Sequence, residues 1–321
     1  MQKRTNETIL VTGAAGFIGS HSVQELLKRG NLVIGIDNLN DYYDPKIKEE
    51  NVKRISCNNF ILYKKDIRDS ASLKEIFEKH RPKKIIHLAA MAGVRRSILE
   101  PLLYFDVNVN GTIALLELAK EHQIENFVYA SSSSVYGNNN KIPFNENDET
   151  ALQVSPYAAS KKCGEVICKS YSQTFGLNIT ALRFFTVYGP SGRPDMAPYK
   201  FTDLIFKGRP IEMYGDGNSL RDYTYISDIV SGVISACEHN YKFEIINLGD
   251  SNPVKLKDFI GIIEKNLGKK ADIITKPMPK GDVDRTFADI TKAKKLLSYE
   301  PKVKIEIGMK SFIEWYLQKN R

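Results

Sequence analysis

The sequence predicts an α/β protein built on a doubly wound parallel sheet, with a smaller α/β lobe after it. Short apolar strands alternate with helical patterns along the first half of the chain, which is typical of parallel strands joined by crossover helices. After Gly189 the segments shorten, and turns rich in proline and glycine become frequent. We predict strands at 8–12, 32–36, 60–63, 84–88, 126–131 and 178–184, and helices at 17–29, 70–79, 98–122 and 157–174.

The composition limits the classes of function. The chain has 321 residues, of which 42% are hydrophobic and 26% are charged, and no apolar run approaches the roughly 20 residues of a membrane span. The net charge of +8 comes from lysines spread along the whole chain, so nucleic acid is not an expected partner. The four cysteines and five histidines show no metal-ligand spacing, so no metal site is expected. These features predict a cytoplasmic protein that binds small anionic molecules.

Glycines follow the first predicted strand with the spacing Gly13-x-x-Gly16-x-x-Gly19, and Phe17 and Ile18 begin the next helix. Gly13 allows a tight turn, Gly16 presents no side chain to a phosphate, and Gly19 lets the helix pack close to the sheet. The free N–H groups at a helix N-terminus attract an anion. The segment therefore predicts a pyrophosphate site in a Rossmann-type domain, and a plain glycine turn is the alternative.

The second predicted strand ends at Asp37, about 20 residues beyond the glycine turn. A carboxylate at this point accepts hydrogen bonds from the adenosine ribose hydroxyls and repels a 2′-phosphate. We therefore predict NAD rather than NADP as the dinucleotide. The alternative is an aspartate that only caps the end of a strand.

The change near Gly189 to shorter segments and more frequent turns indicates where the chain divides. Residues 1–186 would form the NAD-binding Rossmann domain, and residues 187–321 would form the smaller substrate-binding lobe. An apolar run at 244–248 lies in a stretch, about 223–250, that we expect to return to the first sheet. The boundary is therefore not expected to be clean in sequence.

Tyr157 and Lys161 stand four residues apart in a predicted helix, so their side chains share one face. At about 5 Å and an effective dielectric near 20, an ammonium attracts a phenolate by roughly 3 kcal/mol, which would lower the tyrosine pKa from about 10 to about 8. Tyr157 is therefore the candidate base. Tyr42 and Lys46 have the same spacing, but Pro45 lies between them in a polar stretch, so we set that pair aside.

A serine run, residues 131–134, follows the strand predicted at 126–131. The C-terminal ends of parallel strands face the ligand crevice, so these hydroxyls could hold a sugar oxygen or a carboxylate. A serine run is also a common loop sequence. The nearby Tyr157 favours the functional interpretation of Ser132, Ser133 and Ser134.

The glycine turn, Asp37, the serine-ended strand and the Tyr157/Lys161 pair together resemble the extended short-chain dehydrogenase/reductase superfamily, and more narrowly its nucleotide-sugar 4-epimerases. The resemblance covers essentially the whole chain. It implies a bound NAD, a role for Ser132 in assisting Tyr157, and a role for Lys161 in holding the nicotinamide ribose. The further cofactor contacts that it implies are Asp66, Ile67, Leu88, Ala89, Ala90 and Asn108.

The same resemblance implies two contacts to the nucleotide of the substrate. Arg221 would face the diphosphate, and Asp282 would lie near the UDP ribose. Some epimerases carry an arginine three residues before the position of Asp282, where this chain has Pro279. Lys280 or Arg285 could take the place of that arginine.

The segment that follows strand 178–184 bears on the sugar. Thr186 stands where galactose-type epimerases usually have an asparagine, and the string Gly-Arg-Pro-Asp-Met-Ala at 192–197 resembles the UDP-glucuronate 4-epimerases. A carboxylate on the sugar requires several hydrogen-bond donors, which the serine run, Thr186 and Arg193 could supply. Arg193 could instead be a surface loop residue.

The implied function is NAD-dependent C4 epimerisation of a UDP-sugar, with UDP-glucuronate converted to UDP-galacturonate through a 4-keto intermediate. Three alternatives remain: a 4-epimerase of UDP-glucose or UDP-N-acetylglucosamine, a UDP-glucuronate decarboxylase, and a non-catalytic NAD-binding regulator. The resemblance also implies a homodimer, because relatives pair through the helices that correspond to 98–122 and 157–174.

Overall fold

The computed structural model describes residues 6–55, 57–139, 141–277 and 285–320. In these ranges the helices are α1 (Phe17–Lys28), α2 (Pro45–Lys53), α3 (Ser70–His80), α4 (Val94–Leu99), α5 (Pro101–Phe105), α6 (Gly111–Glu121), α7 (Pro156–Phe175), α8 (Ala197–Phe206), α9 (Ile226–Glu238), α10 (Leu256–Leu267), α11 (Thr291–Leu297) and α12 (Ile305–Lys319). The strands are β1 (Thr8–Thr12), β2 (Leu32–Ile36), β3 (Phe60–Tyr63), β4 (Lys84–His87), β5 (Asn126–Ser132), β6 (Ile179–Phe184), β7 (Thr186–Tyr188), β8 (Ile211–Tyr214), β9 (Leu220–Arg221), β10 (Tyr223–Tyr225), β11 (Phe243–Leu248), β12 (Val254–Lys255) and β13 (Ile273–Lys276).

Within the described residues, a seven-stranded sheet has the order β11-β6-β5-β4-β1-β2-β3, and every pairing in it is parallel. The chain leaves β1 toward β2 and β3, and then crosses back to β4 on the other side of β1. The crevice at this reversal lies at the C-terminal ends of the strands, where such sheets bind ligands. The predicted doubly wound α/β fold is confirmed.

Both faces of the large sheet are covered, because successive side chains of a strand point to opposite faces. Ile9 and Val11 of β1 belong to the core on the side of α1 and α9. Leu10, between them, belongs to the core that α3, α6 and α7 cover. This two-sided burial explains why the strands are continuous apolar runs rather than alternating ones.

The helix predicted at 98–122 is wrong in its N-terminal part. The chain forms α4 up to Leu99, breaks at Glu100 (φ −128°, ψ 51°), and starts again at Pro101. Proline suits the first position of a helix but disfavours a helical conformation in the residue before it. From Pro101 the helix runs through α5, a π-helical turn (Asp106–Asn110) and α6.

By length and composition, the 21-residue helix from Pro101 to Glu121 is apolar enough to cross a membrane. This helix differs from the expectation that no apolar segment approaches the length of a membrane span. In the structure this helix packs against α3 and α7, and it buries Tyr104, Leu115 and Leu116 in the core beside the sheet. These contacts are those of a core helix in an α/β fold.

The C-terminal part of the chain is divided between two places. Strand β11 pairs with β6 at the edge of the large sheet, and α9 covers the sheet face beside α1. Helices α8, α10 and α12 instead form a separate core with Tyr223 and Phe259, whose rings stack at 4.3 Å. Parallel strands β7 and β10 join the two parts directly beyond the end of β6.

Candidate active site

The glycine turn after β1 is closed by close backbone contacts. Gly13 has a φ of +68°, and a Cβ on it would lie 2.8 Å from the backbone nitrogen of Ala89. A Cβ on Gly19 would collide with the carbonyl oxygen of Gly13. Gly19 therefore lets the first turn of α1 close onto the glycine turn itself, rather than onto the sheet as the sequence analysis expects.

The N-terminus of α1 is built to receive an anion. Gly16 is the N-cap residue and supplies no side-chain cap, and the first turn carries no acidic residue. Its N–H groups and the helix dipole are therefore left for a negatively charged group. Gly16 also lines the cavity next to this helix end.

Two carboxylates mark the cofactor side of the cavity. Asp37 is buried at the end of β2, where its oxygens accept hydrogen bonds from the N–H groups of Ala15 (3.0 Å) and Leu39 (2.9 Å). Each oxygen keeps a lone pair for a ribose hydroxyl. Asp66 pairs with Arg68, whose hydrogen bonds lower the pKa of the Asp66 carboxyl to about 2. This side of the cavity therefore fits the adenosine end of NAD.

Lys161 and Tyr157 both face the cavity from α7. The Lys161 ammonium is buried and donates to the carbonyl oxygen of Ala130 (2.7 Å), which leaves two N–H donors for a ligand. Burial lowers the pKa of Lys161 to about 7. The ammonium thus stands where it can donate to a sugar hydroxyl.

The pKa of Tyr157 differs from the expectation that Lys161 lowers it. Burial raises the pKa above the ordinary value for tyrosine. The groups that oppose this rise are Ser132, through a hydrogen bond to the phenol, and the positive charge of Arg193. In the protein without ligands, Arg193 is therefore the cation that acts on Tyr157, and burial outweighs it.

The serine run is ordered by its own hydrogen bonds. Ser134 donates to the Ser132 hydroxyl oxygen from both its hydroxyl (2.9 Å) and its backbone N–H (3.2 Å). The hydroxyl hydrogen of Ser132 is thereby left for the phenol of Tyr157. Ser131 points the other way and donates to buried Glu165 (2.6 Å).

Arg193 lines the cavity from the segment that follows β7. Its guanidinium forms an ion pair with Asp195 and lies over the ring of Tyr42, 5.3 Å from the ring centroid. Arg193 is thus a cavity residue and not a free surface residue.

One cavity of about 440 Å³ brings nearly all of the predicted site residues together, a size that suits a small-molecule site. On its cofactor side lie Gly13, Gly16, Phe17, Ile18, Gly19, Asp37, Asp66, Ile67, Leu88, Ala89 and Ala90. On its reacting and sugar side lie Ser132, Ser133, Ser134, Tyr157, Lys161, Thr186 and Arg193.

Three of the predicted residues are not placed in the cavity wall. Asn108 is buried beside it, where its amide accepts from the N–H of Met91 (2.8 Å) and donates to the Met91 carbonyl (2.9 Å) and the Ser160 hydroxyl (2.9 Å). Its polar atoms are thus used to hold the loop after β4. Arg221 donates to the carbonyl oxygen of Leu220 (3.0 Å), and Asp282 lies outside the described residues.

Other wall residues are missed by the sequence analysis. Asn38, Asn40, Tyr42, Tyr43 and Lys48 line the cavity from the segment that follows β2. A signal was available, because a polar stretch directly after Asp37 must lie at the ligand edge of the sheet. The Tyr42–Lys46 pair is not a catalytic pair, since Pro45 begins α2 and Lys46 is exposed.

His87 is a further buried group behind the cavity. Its ring lies 2.7 Å from the Thr12 hydroxyl and 3.0 Å from the Thr112 hydroxyl, and the Thr12 hydroxyl in turn accepts from the N–H of Ala89. Burial, together with the charge of Lys161, lowers the pKa of His87 to about 3. His87 is therefore neutral, and its hydrogen bonds hold the end of β4 in place next to the cofactor side of the cavity.

The comparisons with known proteins agree with this geometry. The model of the GDP-mannose 4,6 dehydratase family matches residues 10–312. A UDP-glucuronate 4-epimerase of Thermodesulfobacterium geofontis is 45% identical over 308 residues, 95% of each chain. The crystal structure of a UDP-glucuronic acid 4-epimerase from Bacillus cereus, in complex with UDP-glucuronic acid and NAD, has a TM-score of 0.92 and 35% identity, and the match covers 97% of this chain and 99% of that one. A UDP-glucose 4-epimerase structure from Thermotoga maritima, with UDP-glucose, has a TM-score of 0.90 and 33% identity over 98% and 100% of the chains. The chain therefore belongs to the GDP-mannose 4,6 dehydratase family and groups with the nucleotide-sugar 4-epimerases of the short-chain dehydrogenase/reductase superfamily.

Proposed function

We propose that this protein converts UDP-glucuronate to UDP-galacturonate by NAD-dependent oxidation and reduction at C4 of the sugar. One observation carries the proposal: a single cavity joins a dinucleotide cradle to Tyr157, Ser132, Thr186 and Arg193. The described carboxylates in its wall, Asp37 and Asp66, lie on the cofactor side. The sugar side therefore offers hydroxyl and guanidinium donors, which suit an anionic sugar.

The reaction requires proton transfer at the sugar 4-hydroxyl, and Tyr157 carries it. When bound, NAD supplies the group that takes the hydride from C4 and later returns it. Tyr157 accepts the proton of the 4-hydroxyl, with Ser132 hydrogen-bonded to its phenol. The positive charge of Arg193 favours the phenolate that forms, and Lys161, which donates to the carbonyl oxygen of Ala130, would also donate to the nicotinamide ribose of NAD.

The 4-keto form of a glucuronate is a β-keto acid, which readily loses CO₂. Ser133, Ser134, Thr186 and Arg193 would hold its carboxylate with hydrogen bonds and charge. A fixed carboxylate opposes the loss of CO₂, because it is kept from the geometry in which the bond breaks. The 4-keto sugar then turns about its link to the diphosphate and is reduced on its other face.

Elimination and decarboxylation are less well served by this site. A 4,6-dehydratase needs an acidic residue beside the position of Ser132, and the related decarboxylases usually carry a glutamate there. This chain has Ser133 and Ser134 at those positions. The described wall of the cavity therefore has no acidic residue beside Ser132 that could assist the loss of water or of CO₂.

Of the remaining alternatives, one keeps some support and one is disfavoured. The likeness to the Thermotoga maritima UDP-glucose 4-epimerase favours a neutral sugar as the second candidate substrate, although Arg193 would then have no carboxylate to bind. A non-catalytic NAD-binding regulator would not need both Tyr157 and Lys161 at the cavity wall.

The contacts to the diphosphate belong to the same proposal. Arg221 and Arg285 would reach it, since β9 contains Arg221 and its neighbour Leu220 forms a bridge with Arg285. Asp282 would bind the UDP ribose. In this scheme residues 1–186, together with the returning stretch near 223–250, bind NAD, and the rest of 187–321 binds the UDP-sugar.

Incubation of the purified protein with UDP-glucuronate, followed by NMR of the products, tests the proposal. UDP-galacturonate is the expected product. A UDP-pentose would show a decarboxylase, and turnover of UDP-glucose or UDP-N-acetylglucosamine alone would show a neutral-sugar epimerase. NAD that copurifies without turnover of any of these UDP-sugars would favour the regulator.

We also infer a homodimer, in the cytoplasm where NAD and UDP-sugars are available. The described apolar side chains Ile98, Leu99, Leu102, Phe105 and Val166 are exposed on α4, α5 and α7, which pack against one another. Exposed apolar side chains on neighbouring helices are expected to be covered by a partner, and a second copy offers the same side chains across a twofold axis. Light scattering at micromolar concentration should give twice the mass of 36.3 kDa, and Leu102→Glu should give a monomer. A monomeric parent protein would contradict the inference.

A further inference from the structure

Tyr42 lies at the centre of a row of charged side chains at the sugar side of the cavity. Two guanidinium groups lie over its ring: that of Arg96, 5.0 Å from the ring centroid, and that of Arg193, 5.3 Å from it. Arg96 is paired with Glu100 (2.7 Å), and Arg193 is paired with Asp195. We call Glu100, Arg96, Tyr42, Arg193 and Asp195 the Tyr42 stack. It joins α4, the segment after β2 and the segment after β7.

The hydroxyl of Tyr42 is held as firmly as its ring. It donates to a carboxylate oxygen of Asp195 (3.2 Å) and accepts from a terminal nitrogen of Arg193 (3.4 Å). Gly93 lies directly against this hydroxyl, with a φ of +92°, and a Cβ at that position would collide with it. Tyr42 therefore has little freedom, and neither has the guanidinium that it contacts.

The position of the Arg193 guanidinium matters for the reaction. Arg193 shares the cavity wall with Tyr157 and Thr186, and its charge acts on Tyr157. An arginine side chain has many rotamers, and fixing one of them costs conformational entropy. A residue that holds the guanidinium in place before the ligand arrives removes part of that cost from binding.

We propose that Tyr42 is a positioning residue that holds Arg193 ready for the carboxylate of a UDP-uronate, and thereby contributes to the choice of an acidic sugar. The inference rests on the proposed function of the site. It assigns to Tyr42 no contact with the reacting atoms, because Tyr42 acts through Arg193. Arg96, which is paired with Glu100, also contacts the ring of Tyr42.

The consequence for binding is specific to the sugar. Without the ring and hydroxyl of Tyr42, Arg193 would have to be ordered by the ligand itself. Affinity for UDP-glucuronate should fall, while affinity for UDP, which has no sugar carboxylate, should not. Cation–π contacts that are partly shielded from water account for a change of roughly tenfold.

The test is a double-mutant cycle on dissociation constants measured by calorimetry, with Tyr42→Ala, Arg193→Met and both together. Tyr42→Ala should weaken the binding of UDP-glucuronate and raise its KM roughly tenfold, and kcat should fall by a smaller factor, because a less ordered Arg193 also favours the phenolate of Tyr157 less. Tyr42→Phe keeps the ring and should lose less affinity for UDP-glucuronate than Tyr42→Ala does. In the Arg193→Met background, Tyr42→Ala should have no further effect.

The matched control is Tyr241→Phe, which removes a hydroxyl that donates to the carbonyl oxygen of Leu296 (2.6 Å) and does not line the cavity. Independent, additive effects of Tyr42→Ala and Arg193→Met would overturn the inference, and so would equal losses of affinity for UDP and UDP-glucuronate. Because the cycle is measured on binding, it separates the two proposals. A parent protein that binds but does not turn over UDP-glucuronate contradicts the function alone, whereas additivity in an active enzyme contradicts only the role of Tyr42.

Discussion

The Ser132 hydroxyl, at the end of β5, opposes the rise in the pKa of the Tyr157 phenol, and in the proposed reaction this pair takes up the proton of the sugar. Burial holds the pKa of Tyr157 above its ordinary value, so the phenolate needs positive charge beside it. Arg193 supplies part of that charge, and the cationic nicotinamide of NAD would supply more when bound. The base is therefore expected to become effective only in the complex with the cofactor.

Replacement of Tyr157 by Phe removes the proton acceptor but keeps the ring. Turnover of UDP-glucuronate should fall by roughly 10³-fold or more, because general-base catalysis accounts for an effect of about that size. NAD should stay bound, as measured by its content after desalting. Activity within a few-fold of the parent enzyme would show that Tyr157 is not the base.

Lys161 is a buried side chain whose charged form costs the folded protein stability. Burial lowers its pKa from the ordinary 10.5 to about 7, so between these pH values the folded chain binds fewer protons at this site than the unfolded chain. The free energy of unfolding therefore decreases as the pH falls from about 10.5 to about 7. Below about pH 7 the full destabilisation that results from burying the charged Lys161 is present.

The replacement Lys161→Met should remove this cost. Without NAD, the variant should melt a few degrees higher than the parent at pH 7, and the difference should shrink toward pH 10. Activity should be lost at the same time. Thermal melts over this pH range check the prediction, and a variant that is less stable at pH 7 would contradict it.

At the scale of elements, helix α7 carries Tyr157, Lys161 and Glu165 four residues apart on one face. Glu165 is buried and forms two hydrogen bonds with Arg183 of β6 (2.8 and 2.9 Å), and it also accepts from Ser131 at the end of β5. This pair ties the catalytic helix to two strands of the sheet. It fixes the direction in which the serine run leaves β5.

Breaking this buried pair should be costly. Glu165→Gln should lower the free energy of unfolding by about 3–5 kcal/mol, because it leaves the Arg183 charge buried and unpaired. Although burial opposes it, the pairing with Arg183 holds the pKa of Glu165 below its ordinary 4.5, so the stabilisation is lost as the pH falls below that value. Denaturant unfolding at pH 7 measures the effect.

The control for this change is Glu314→Gln, which removes an exposed partner of Lys310 and should cost less than about 1 kcal/mol. Similar losses in the two variants would contradict the role assigned to the buried pair.

The strands of this fold are easier to predict from the sequence than its helix breaks or the contacts of single side chains. The strands follow from their apolar runs, because burial on both faces permits little else. The break at Glu100 was signalled by Pro101, but the apolar periodicity continues across it, so the pattern alone suggests one helix. The resemblance assigns Asn108 to the cofactor, whereas in the structure its amide is hydrogen-bonded to Met91 and Ser160, contacts that no local pattern indicates.

At the scale of the whole molecule, the site forms where segments far apart in sequence meet. The ends of parallel strands share one edge, so Gly13, Asp37, Ser132 and Tyr157 could be brought together from sequence alone. The contact of Tyr42 with Arg193 could not be predicted from the sequence. It depends on how the smaller core of α8, α10 and α12 places the segment after β7. Neither the segment after β2 nor the segment after β7 has a sequence pattern that indicates this contact.

A group of acids holds several segments of the C-terminal part of the chain together. Asp222 accepts hydrogen bonds from the N–H groups of Asp250 (2.7 Å), Ser251 (3.1 Å) and Ala288 (3.0 Å). Burial, with the charges of Asp222 and Asp228, raises the pKa of Asp250 to about 7. The folded protein therefore favours protonated Asp250, and this contribution to stability is lost as the pH rises from 3.8 to about 7.

Asp250→Asn should remove that pH dependence. The variant should be more stable than the parent at pH 8 and nearly equal to it near pH 4, as thermal melts at the two pH values would show. A parent protein whose advantage grows as the pH rises would contradict the assignment.

The central claim, that the cavity oxidises and reduces C4 of a UDP-uronate, is tested most directly with UDP-glucuronate that carries deuterium at C4. If the hydride leaves and returns within one active site, the UDP-galacturonate formed in ordinary water retains the deuterium at C4, as NMR and mass spectrometry would show. Replacement of the deuterium by solvent hydrogen in that product would contradict the account.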